Sequence, residues 1–400
     1  MPSRSRLYIL AAFMSTYMAI GIVSPYISIL VRGLGYSPST VGLLLGVFEA
    51  AGIAGPFVLG RLVDRWGCYK PGLLICVILM LLPGIPLAYT TTPLASALLL
   101  CVLSIGTKSS IPLTEAMTTL VVGKDGNYGK LRSFSSIAFI CAVLFFQWFP
   151  FLPRNNSLNI GIWISIMSLA ATVFVLILPA RLSLRAPQSA GGSPGADSGR
   201  WLKNPRFILG LLMIALSRIG MSPILSFLSL YVTEHVHWDA VGLVWAIASA
   251  AETPLIFFSK SIIRRFKGPL RVIFFTGFAL ILRLLIYAFL PYPPAIIAGQ
   301  LLHSLCYGLF HPAAVNFITT NIPPEHRATG MTVYISLGTA LPTFLGNILG
   351  GYIVEYFGYP LLYGGYTIFP ILAAVVYFII RRGGQGNAKA PVTKSVSGAS

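Results

Sequence analysis

Long apolar segments alternate with short polar ones along most of this 400-residue chain. A helix needs about 20 apolar residues to cross the hydrocarbon core of a bilayer. Continuous apolar runs of that length predict membrane-spanning helices, because a barrel strand would alternate polar and apolar positions. Twelve such runs are present, at residues 8–31, 39–60, 71–90, 94–122, 133–152, 157–180, 206–232, 240–262, 270–290, 295–319, 328–354 and 359–380. The predicted fold is therefore all-α, a polytopic membrane protein with twelve transmembrane helices.

The composition agrees with a lipid environment. Only 10% of the residues are charged and 56% are hydrophobic, whereas a soluble domain carries about 25% charged residues. The five cysteines are scattered in or beside the spans without metal-ligand spacing, so no metal site and no cofactor is predicted. The first span follows Arg4 and Arg6 but is too long for a signal peptide, so it is predicted to be a retained helix.

The net charge of +18 could indicate a nucleic-acid partner, but topology explains it better. If both termini and every second loop lie in the cytoplasm, nearly all the loop Lys and Arg residues fall on that side. Only Arg32 and Arg154 fall on the other side. This is the positive-inside bias of membrane proteins. The sequence therefore predicts a protein of the cell (inner) membrane with both termini cytoplasmic, and no nucleic-acid partner.

A polar segment divides the spans six and six. Residues 181–205 are rich in Gly, Ser and Pro and cannot bury enough apolar area to order themselves, so they are predicted to form a cytoplasmic linker. The tail at 382–400 is similarly polar and is predicted to be disordered. The predicted domains are thus an N-terminal six-helix bundle at 1–180 and a C-terminal one at 206–381.

The two halves carry a weak internal repeat. SPYISIL at 24–30 is echoed by SPILSFL at 222–228, and VGLLLG at 41–46 is echoed by VGLVWA at 241–246. Parallel repeats of six spans, related by an axis along the membrane normal, describe the major facilitator architecture. The repeat therefore predicts two pseudo-symmetric halves.

The stretch GRLVDRWGCYKP at 60–71 concentrates charge between two apolar runs, and SIIRRFKG at 261–268 occupies the matching place in the second half. The first stretch resembles the signature loop between helices two and three of the major facilitator superfamily, roughly G-x-L-x-D-R-x-G-R-K. The resemblance implies a cytoplasmic latch between the halves, closed in one transport state and parted in the other. Its gating residues would be Gly60, Asp64, Arg65 and Gly67.

Each gating residue has an expected task. Gly60 would allow close approach of helices, and Gly67 would supply a tight turn. Asp64 and Arg65 would pair across the two halves. Cys68 stands where the motif begins its usual basic pair, so this part of the latch departs from the pattern.

Ionisable side chains inside the bilayer cost about 2.5–3.5 kcal/mol on insertion scales, so they normally face a cavity and have partners. Eight fall well inside the predicted spans: Glu49, Lys108, Glu115, Arg218, Glu252, Arg283, His303 and His311.

The second-half charges carry a more specific resemblance. Glu252, Arg283 and His303 lie on helices eight, nine and ten, in the order of the lactose-permease-like branch and, still more closely, of its phenylpropionate-permease relatives with their L-H…G-x-F-H pattern. The resemblance implies proton coupling by all three residues, with Glu252 also binding substrate. Cys306 stands where the coupling carboxylate is expected, so Glu252 becomes the predicted coupling acid and Glu49 the reserve.

The first half resembles the same branch. PLTEAMTTL on helix four and YGKLRSF opening helix five place Glu115 and Arg132 where the resemblance implies a substrate-binding acid and guanidinium. Together they could grip vicinal hydroxyls, or Arg132 alone could bind a carboxylate through two parallel hydrogen bonds. Phe139, two turns further on, would offer a stacking face for a sugar or aryl ring.

Simpler structural roles stay open for these residues. Glu252 could form only an ion pair with the helix-nine arginine, and Glu49 could pair with Arg218. Lys108 and the acid seven residues later could stabilise helix four. His303 could be a packing histidine, and so could His311, which lies about 80° around an α-helix from it.

Three functions follow as hypotheses. The first is a monomeric secondary transporter that couples protons to inward symport of a small polar organic solute, either a sugar or oligosaccharide or an aromatic carboxylate. The second is an efflux antiporter for drugs or metabolites, which the lack of a glycine–proline signature at 133–152 disfavours. The third is a membrane receptor or enzyme, which the lack of any nucleophile–base spacing or metal cluster disfavours.

Overall fold

A computed structural model describes residues 3–122, 128–178, 200–323 and 326–387. Over these residues the chain is helical and contains no strand, as the sequence predicts. The side chains at 3–6, 118–122, 128–133, 200, 328 and 383–387 are outside this description.

The first half contains six helical segments that we number by predicted span. They are α1 Ser3–Arg32, α2 Pro38–Trp66, α3 Tyr69–Leu81 with its short continuation Gly84–Leu87, α4 Pro93–Val122, α5 Tyr128–Trp148 and α6 Ser157–Ile177.

The second half repeats this arrangement with more irregular helices. Its first four segments are α7 Pro205–Ser226, continued by Leu228–Leu230 and a π-helical turn at Tyr231–His235; α8 Val241–Arg265; α9 Pro269–Phe289; and α10, made of Pro293–Leu301, the π-helical segment Ser304–Leu309 and Phe310–Asn321.

The last two segments are joined end to end. α11 comprises Arg327–Val333, the π-helical segment Tyr334–Ala340 and the first part of the helix Leu341–Tyr366. That helix is interrupted at Gly358, whose φ of 81° and ψ of 176° are not helical. The part beyond Gly358 joins Ile368–Asn387 to form α12.

Ten helical segments of the described chain are long and apolar enough to cross a membrane. One of them, Thr329–Arg382, has 54 residues, and the interruption at Gly358 divides it into α11 and α12. α5 adds a shorter apolar helix, Phe134–Trp148. Together these segments account for the twelve predicted spans.

Local chemistry sets the ends of α2. The Ser37 hydroxyl accepts a hydrogen bond from the Thr40 N–H, and Pro38 occupies the first turn, where its missing N–H costs nothing. At the other end Gly67 adopts the left-handed conformation, with φ 62°. Glycine tolerates that conformation without strain, so Gly67 supplies the predicted tight turn.

The two ends of the bundle differ in charge. The α2–α3 and α8–α9 turns lie at one end, where Arg61, Arg65, Arg264 and Arg265 are exposed. We call it the basic end. The α1–α2, α3–α4, α5–α6, α7–α8, α9–α10 and α11–α12 connections lie at the other, which we call the opposite end.

Glycines bring the halves together at the opposite end. A Cβ added at Gly42 of α2 would overlap the Asn347 carbonyl oxygen of α11 and lie 2.8 Å from the Gly351 Cα. A Cβ at Gly242 of α8 would overlap the Val143 carbonyl oxygen of α5. These two helix pairs are therefore packed backbone against backbone, as only glycine permits.

Ion pairs fasten the same end. Arg32 Nε lies 2.8 Å from Glu234 Oε1, and the Tyr359 hydroxyl donates to Glu234 Oε2 at 2.7 Å. Arg154 of the first half pairs with Asp239 of the second. The hydrogen bonds and ion pairs between described residues of the two halves lie at this end or nearer the middle of the bundle. We call this set of contacts the opposite-end seal.

The predicted linker and tail fall mostly outside the described residues, at 179–199 and 388–400. The described chain resumes with a 3₁₀ turn at Arg200–Lys203, where buried Trp201 packs edge-on against Phe207. Residues 200–205, which the sequence assigns to the linker, therefore belong to the second half. α12 likewise extends to Asn387, beyond the predicted boundary at 381.

Candidate functional site

A cavity of about 280 Å³ lies between the halves, in the middle of the bundle. Side chains from α1, α2, α4 and α5 line it on one side, and side chains from α7, α8 and α10 on the other. Its ionisable lining residues are Glu49, Lys108, Arg218, Glu252 and His303. A second, open depression of about 670 Å³ surrounds the loop at 150–155 at the opposite end, and no predicted site residue lines it.

Glu252, His303 and Arg283 form a chain of contacts, and Glu252 does not pair directly with Arg283. Glu252 Oε2 lies 3.5 Å from His303 Nε2, and the other ring nitrogen, Nδ1, lies 2.8 Å from Arg283 Nη1. His303 therefore stands between the acid and the guanidinium. The direct ion pair between Glu252 and Arg283, which the sequence left open as an alternative, is absent from this conformation, because the imidazole stands between them.

The contact with Arg283 fixes the state of the imidazole. A guanidinium can only donate hydrogen bonds, so His303 Nδ1 must accept one through its lone pair. The proton of the neutral ring is then on Nε2, the atom that faces Glu252. His303 cannot become a doubly protonated cation without separating from Arg283.

Arg283 is fully buried behind His303, with 1% of its surface exposed. Its Nε donates to the Tyr287 hydroxyl at 3.2 Å, and its Nη2 donates to Gln300 Oε1. Cys306 is buried close to it, at the position where the resemblance expects a carboxylate. Three polar neighbours therefore satisfy the guanidinium, and no described carboxylate lies within 4 Å of it.

Glu49 pairs with Lys108, not with Arg218. Lys108 Nζ donates to Glu49 Oε1 at 2.8 Å, which joins α4 to α2 at the cavity wall. This contact also corrects the pairing of Lys108 with Glu115 on one face of α4. The sequence pattern missed it because the partners come from different helices.

The Glu49–Lys108 pair gives a stability prediction. Lys108→Met removes the ion-pair partner of the partly buried Glu49 carboxylate, so we expect a lower melting temperature. Adding Glu49→Gln removes the orphaned charge and should recover most of the loss, with a coupling free energy of about 1–3 kcal/mol in a double-mutant cycle. Thermal unfolding of the purified proteins in detergent measures both effects. Additive losses would show that the pair does not stabilise the fold.

The first-half substrate residues are only partly visible. Glu115 accepts a hydrogen bond from the Tyr17 hydroxyl at 3.0 Å, and Tyr17 lines the cavity. Phe139 also lines the cavity, and its role as a stacking face stays a prediction. Arg132 lies in α5, but its side chain is outside the described residues.

The sequence assignment missed a row of rings on α10. His303, Tyr307 and His311 stack nearly parallel, with centroids 5.4 and 5.9 Å apart. α-Helical geometry would place His311 well around the helix from His303. The π-helical segment Ser304–Leu309 has more residues per turn than an α-helix, so residues four apart stay nearly on one face. His311 Nδ1 then meets the Tyr334 hydroxyl at 3.1 Å.

The gating residues lie at the basic end, away from the seal. Asp64 and Arg65 are exposed, and no described residue of the second half pairs with either of them. A Cβ added at Gly60 would meet no atom within 4 Å. The close helix approach predicted at Gly60 is therefore absent from this conformation, whereas the turn at Gly67 is present.

Comparisons with known proteins agree with this architecture. A family model described as the MFS_1 like family matches residues 7–364. The maltose permease of Geobacillus stearothermophilus is 24% identical over 92% of this chain and 92% of its own length. The probable 3-phenylpropionic acid transporter of Escherichia coli K12 is 23% identical over 94% of this chain and 97% of its own length.

The fold also matches a solved structure. A mutant form of the nucleoside transporter NupG superposes with a TM-score of 0.83 at 18% identity, over 94% of this chain and 99% of that one. Such low identity supports the fold alone. The family match, the permease relatives and the two six-helix halves around one cavity lead to the same conclusion: this chain belongs to the MFS_1 like family of major facilitator transporters.

Proposed function

We propose that this protein is a proton-coupled symporter that moves a small polar organic solute inward by alternating access. One observation carries the proposal: Glu252 and His303 line the central cavity between the halves, Arg283 contacts His303 from behind, and the opposite-end seal closes one end of the bundle. In this fold family, substrate sites lie near the bilayer midplane at the interface between repeats.

The positive-inside rule gives the direction. Basic residues concentrate at the end that holds the α2–α3 and α8–α9 turns, so that end would face the cytoplasm. The seal lies at the other end. The conformation described here would then be the inward-facing state, in which a solute leaves or enters from the cytoplasm. The outward-facing state would break the opposite-end seal and close the basic end.

The contact chain gives a route for the coupled proton. Glu252 faces the cavity and His303 Nε2, so a proton that arrives from the cavity would reach the carboxylate first. Arg283 holds the imidazole in its neutral form from behind. Glu252 would therefore carry the proton, and His303 with Arg283 would orient it. Glu49 is less suited to this task because Lys108 holds it in an ion pair.

Labelled-solute uptake tests the proposal. Purified protein in liposomes, with an acidic exterior, should accumulate a candidate solute above its external concentration, and a protonophore should abolish the excess. The named activities of the relatives suggest maltose and 3-phenylpropionate as the first solutes. Proton-driven loss of preloaded solute would favour the antiporter instead.

The latch gives a separate prediction. Asp64→Asn should slow transport by up to about fivefold while leaving insertion and melting temperature unchanged, because a closed basic end would lose a charge pair worth roughly 0.5–1 kcal/mol. Uptake rates in liposomes measure the effect. Arg61→Gln in the same turn is the control, since Arg61 stacks on Phe57 of its own helix at 3.8 Å. Wild-type rates for Asp64→Asn would show that Asp64 does not take part in gating and that the charges of this loop reflect only the positive-inside bias.

A further inference from the structure

Arg218 is a cation of the cavity wall that makes no ion pair within 4 Å with a described residue, although the Glu49 carboxylate lies near enough to interact with its charge. It reaches the cavity from α7, and its Nε donates to the Thr343 hydroxyl of α11 at 3.2 Å. The two acids that line the cavity face other groups: Glu49 faces Lys108, and Glu252 faces His303. No described carboxylate lies within 4 Å of the Arg218 guanidinium.

A charge in this setting calls for a counter-ion. Arg218 is partly exposed in this conformation, but closure of the cavity around a solute would remove it from bulk water. An ionised group away from water is costly unless it is paired and hydrogen-bonded. The one hydrogen bond that Arg218 makes to a described residue uses Nε, so its Nη groups can turn to a ligand in the cavity. A guanidinium binds a carboxylate through two parallel N–H···O bonds, a geometry that an alcohol or an ether does not match.

We infer that Arg218 binds the carboxylate of an aromatic or apolar monocarboxylic acid, which would be the transported solute. This inference rests on the proposed function and names the class of substrate. It assigns the anion to α7 in the second half, whereas the sequence resemblance places substrate binding on α4 and α5.

The walls beside Arg218 suit the rest of such a solute. The Tyr307 ring lies with its centroid 5.7 Å from the guanidinium carbon, and Phe139 and Trp245 line the same cavity. The Trp245 indole N–H already donates to the Ser229 hydroxyl, so that polar group is not available to a sugar. Aromatic faces bind a planar ring by offset or edge-on stacking.

The size of the cavity points the same way. Its volume of about 280 Å³ is just below the usual range for small-molecule sites, roughly 300–1,000 Å³. A solute with one ring and a short acidic chain suits this space better than a disaccharide. A neutral sugar would also leave the Arg218 guanidinium without a carboxylate in direct contact.

Binding to purified protein tests the inference with matched acids and amides. We expect 3-phenylpropionate to bind at least about tenfold more tightly than 3-phenylpropionamide, because the amide keeps the shape and loses the charge. Arg218→Gln should remove this preference, so that the acid binds only as tightly as the amide. Arg218→Lys should keep part of this preference, because lysine retains the charge but cannot make the two parallel hydrogen bonds of a guanidinium. Benzoate and benzamide provide a second pair with a shorter chain.

Thr343→Val is the matched control. It removes the hydrogen bond to Arg218 Nε but keeps the guanidinium, so the preference for the acid should persist. Melting temperatures show whether each variant is folded. If Arg218→Gln does not fold, the preference for the acid is compared between Arg218→Lys, which should lose part of it, and Thr343→Val, which should keep it.

The outcomes separate the two proposals. Equal affinity for acid and amide in the wild-type protein, or an undiminished preference in a folded Arg218→Gln variant, would overturn the carboxylate site. Transport of maltose or a nucleoside without binding of either acid would overturn the substrate class and leave transport standing. Tight acid binding that depends on Arg218, with no uptake into liposomes, would support the site and contradict the transport function.

Discussion

Glu252→Gln is expected to abolish proton-driven accumulation, so that the internal solute concentration no longer exceeds the external one. The glutamine amide keeps the shape of a protonated carboxyl group but cannot release a proton. It can still accept a hydrogen bond from His303 Nε2, which the neutral ring directs toward Glu252. The cavity should therefore still bind solute and change conformation. Exchange of labelled for unlabelled solute should persist in liposomes while uphill uptake is lost.

The control for this prediction removes the reserve candidate without leaving a bare charge. Because Lys108 holds Glu49 at 2.8 Å, the double variant Glu49→Gln with Lys108→Met takes away the pair together. We expect it to retain accumulation. Wild-type accumulation by Glu252→Gln would refute the assignment, and accumulation lost only in the double variant would transfer the coupling role to α2.

Gly42→Leu is expected to prevent closure of the opposite end. Even a Cβ at this position would overlap the Asn347 carbonyl oxygen, and a leucine adds three more carbons. Since the overlap is with backbone, no change of rotamer relieves it, and α2 must separate from α11. The variant should favour outward-facing conformations and lose active transport by more than about tenfold, which corresponds to at least 1.4 kcal/mol.

Distances across the seal measure this shift. Spin labels at Thr92→Cys and Tyr292→Cys, with the native cysteines replaced, report the separation of two exposed opposite-end loops. The distance should increase in Gly42→Leu. Gly365→Leu is the control, because a Cβ there would meet no atom within 4 Å. An unchanged distance with normal transport in Gly42→Leu would mean that the contact of α2 with α11 is not part of the cycle.

Hydrophobic patterning was sufficient to predict the fold. Lipid admits few backbone arrangements, so the length of each apolar run determines a span almost by itself. The break between the last two runs, at 355–358, coincides with the non-helical Gly358. The polar residues of the 200–205 segment led to its assignment to the linker. In the structure Trp201 packs against Phe207 of α7, so this segment belongs to the second half.

The sequence could predict which ionisable residues lie in or beside the cavity, but not which of them pair. Burial costs alone select Glu252, Arg283 and His303 as residues that must face a cavity or one another. Which of them touch depends on the rotation of each helix about its axis and on side-chain length, and hydrophobic patterning specifies neither. The imidazole therefore stands between the acid and Arg283, and Lys108 reaches across to Glu49 from another helix.

Irregular helix geometry explains the remaining difference on α10. Periodicity arguments assume 3.6 residues per turn, and the π-helical segment Ser304–Leu309 violates that assumption in the middle of the site. The alignment of His303, Tyr307 and His311 follows from this segment. No residue type in SLCYGL signals a π-helix, so the row of rings could not be anticipated.

Solute-induced proton movement tests the central claim most directly. Liposomes containing the protein are suspended in a lightly buffered medium, and external pH is recorded after addition of a transported solute. Proton symport predicts a transient alkalinisation of the medium with wild-type protein and none with Glu252→Gln. Uptake of the solute without any pH change, or with acidification of the medium, would contradict it.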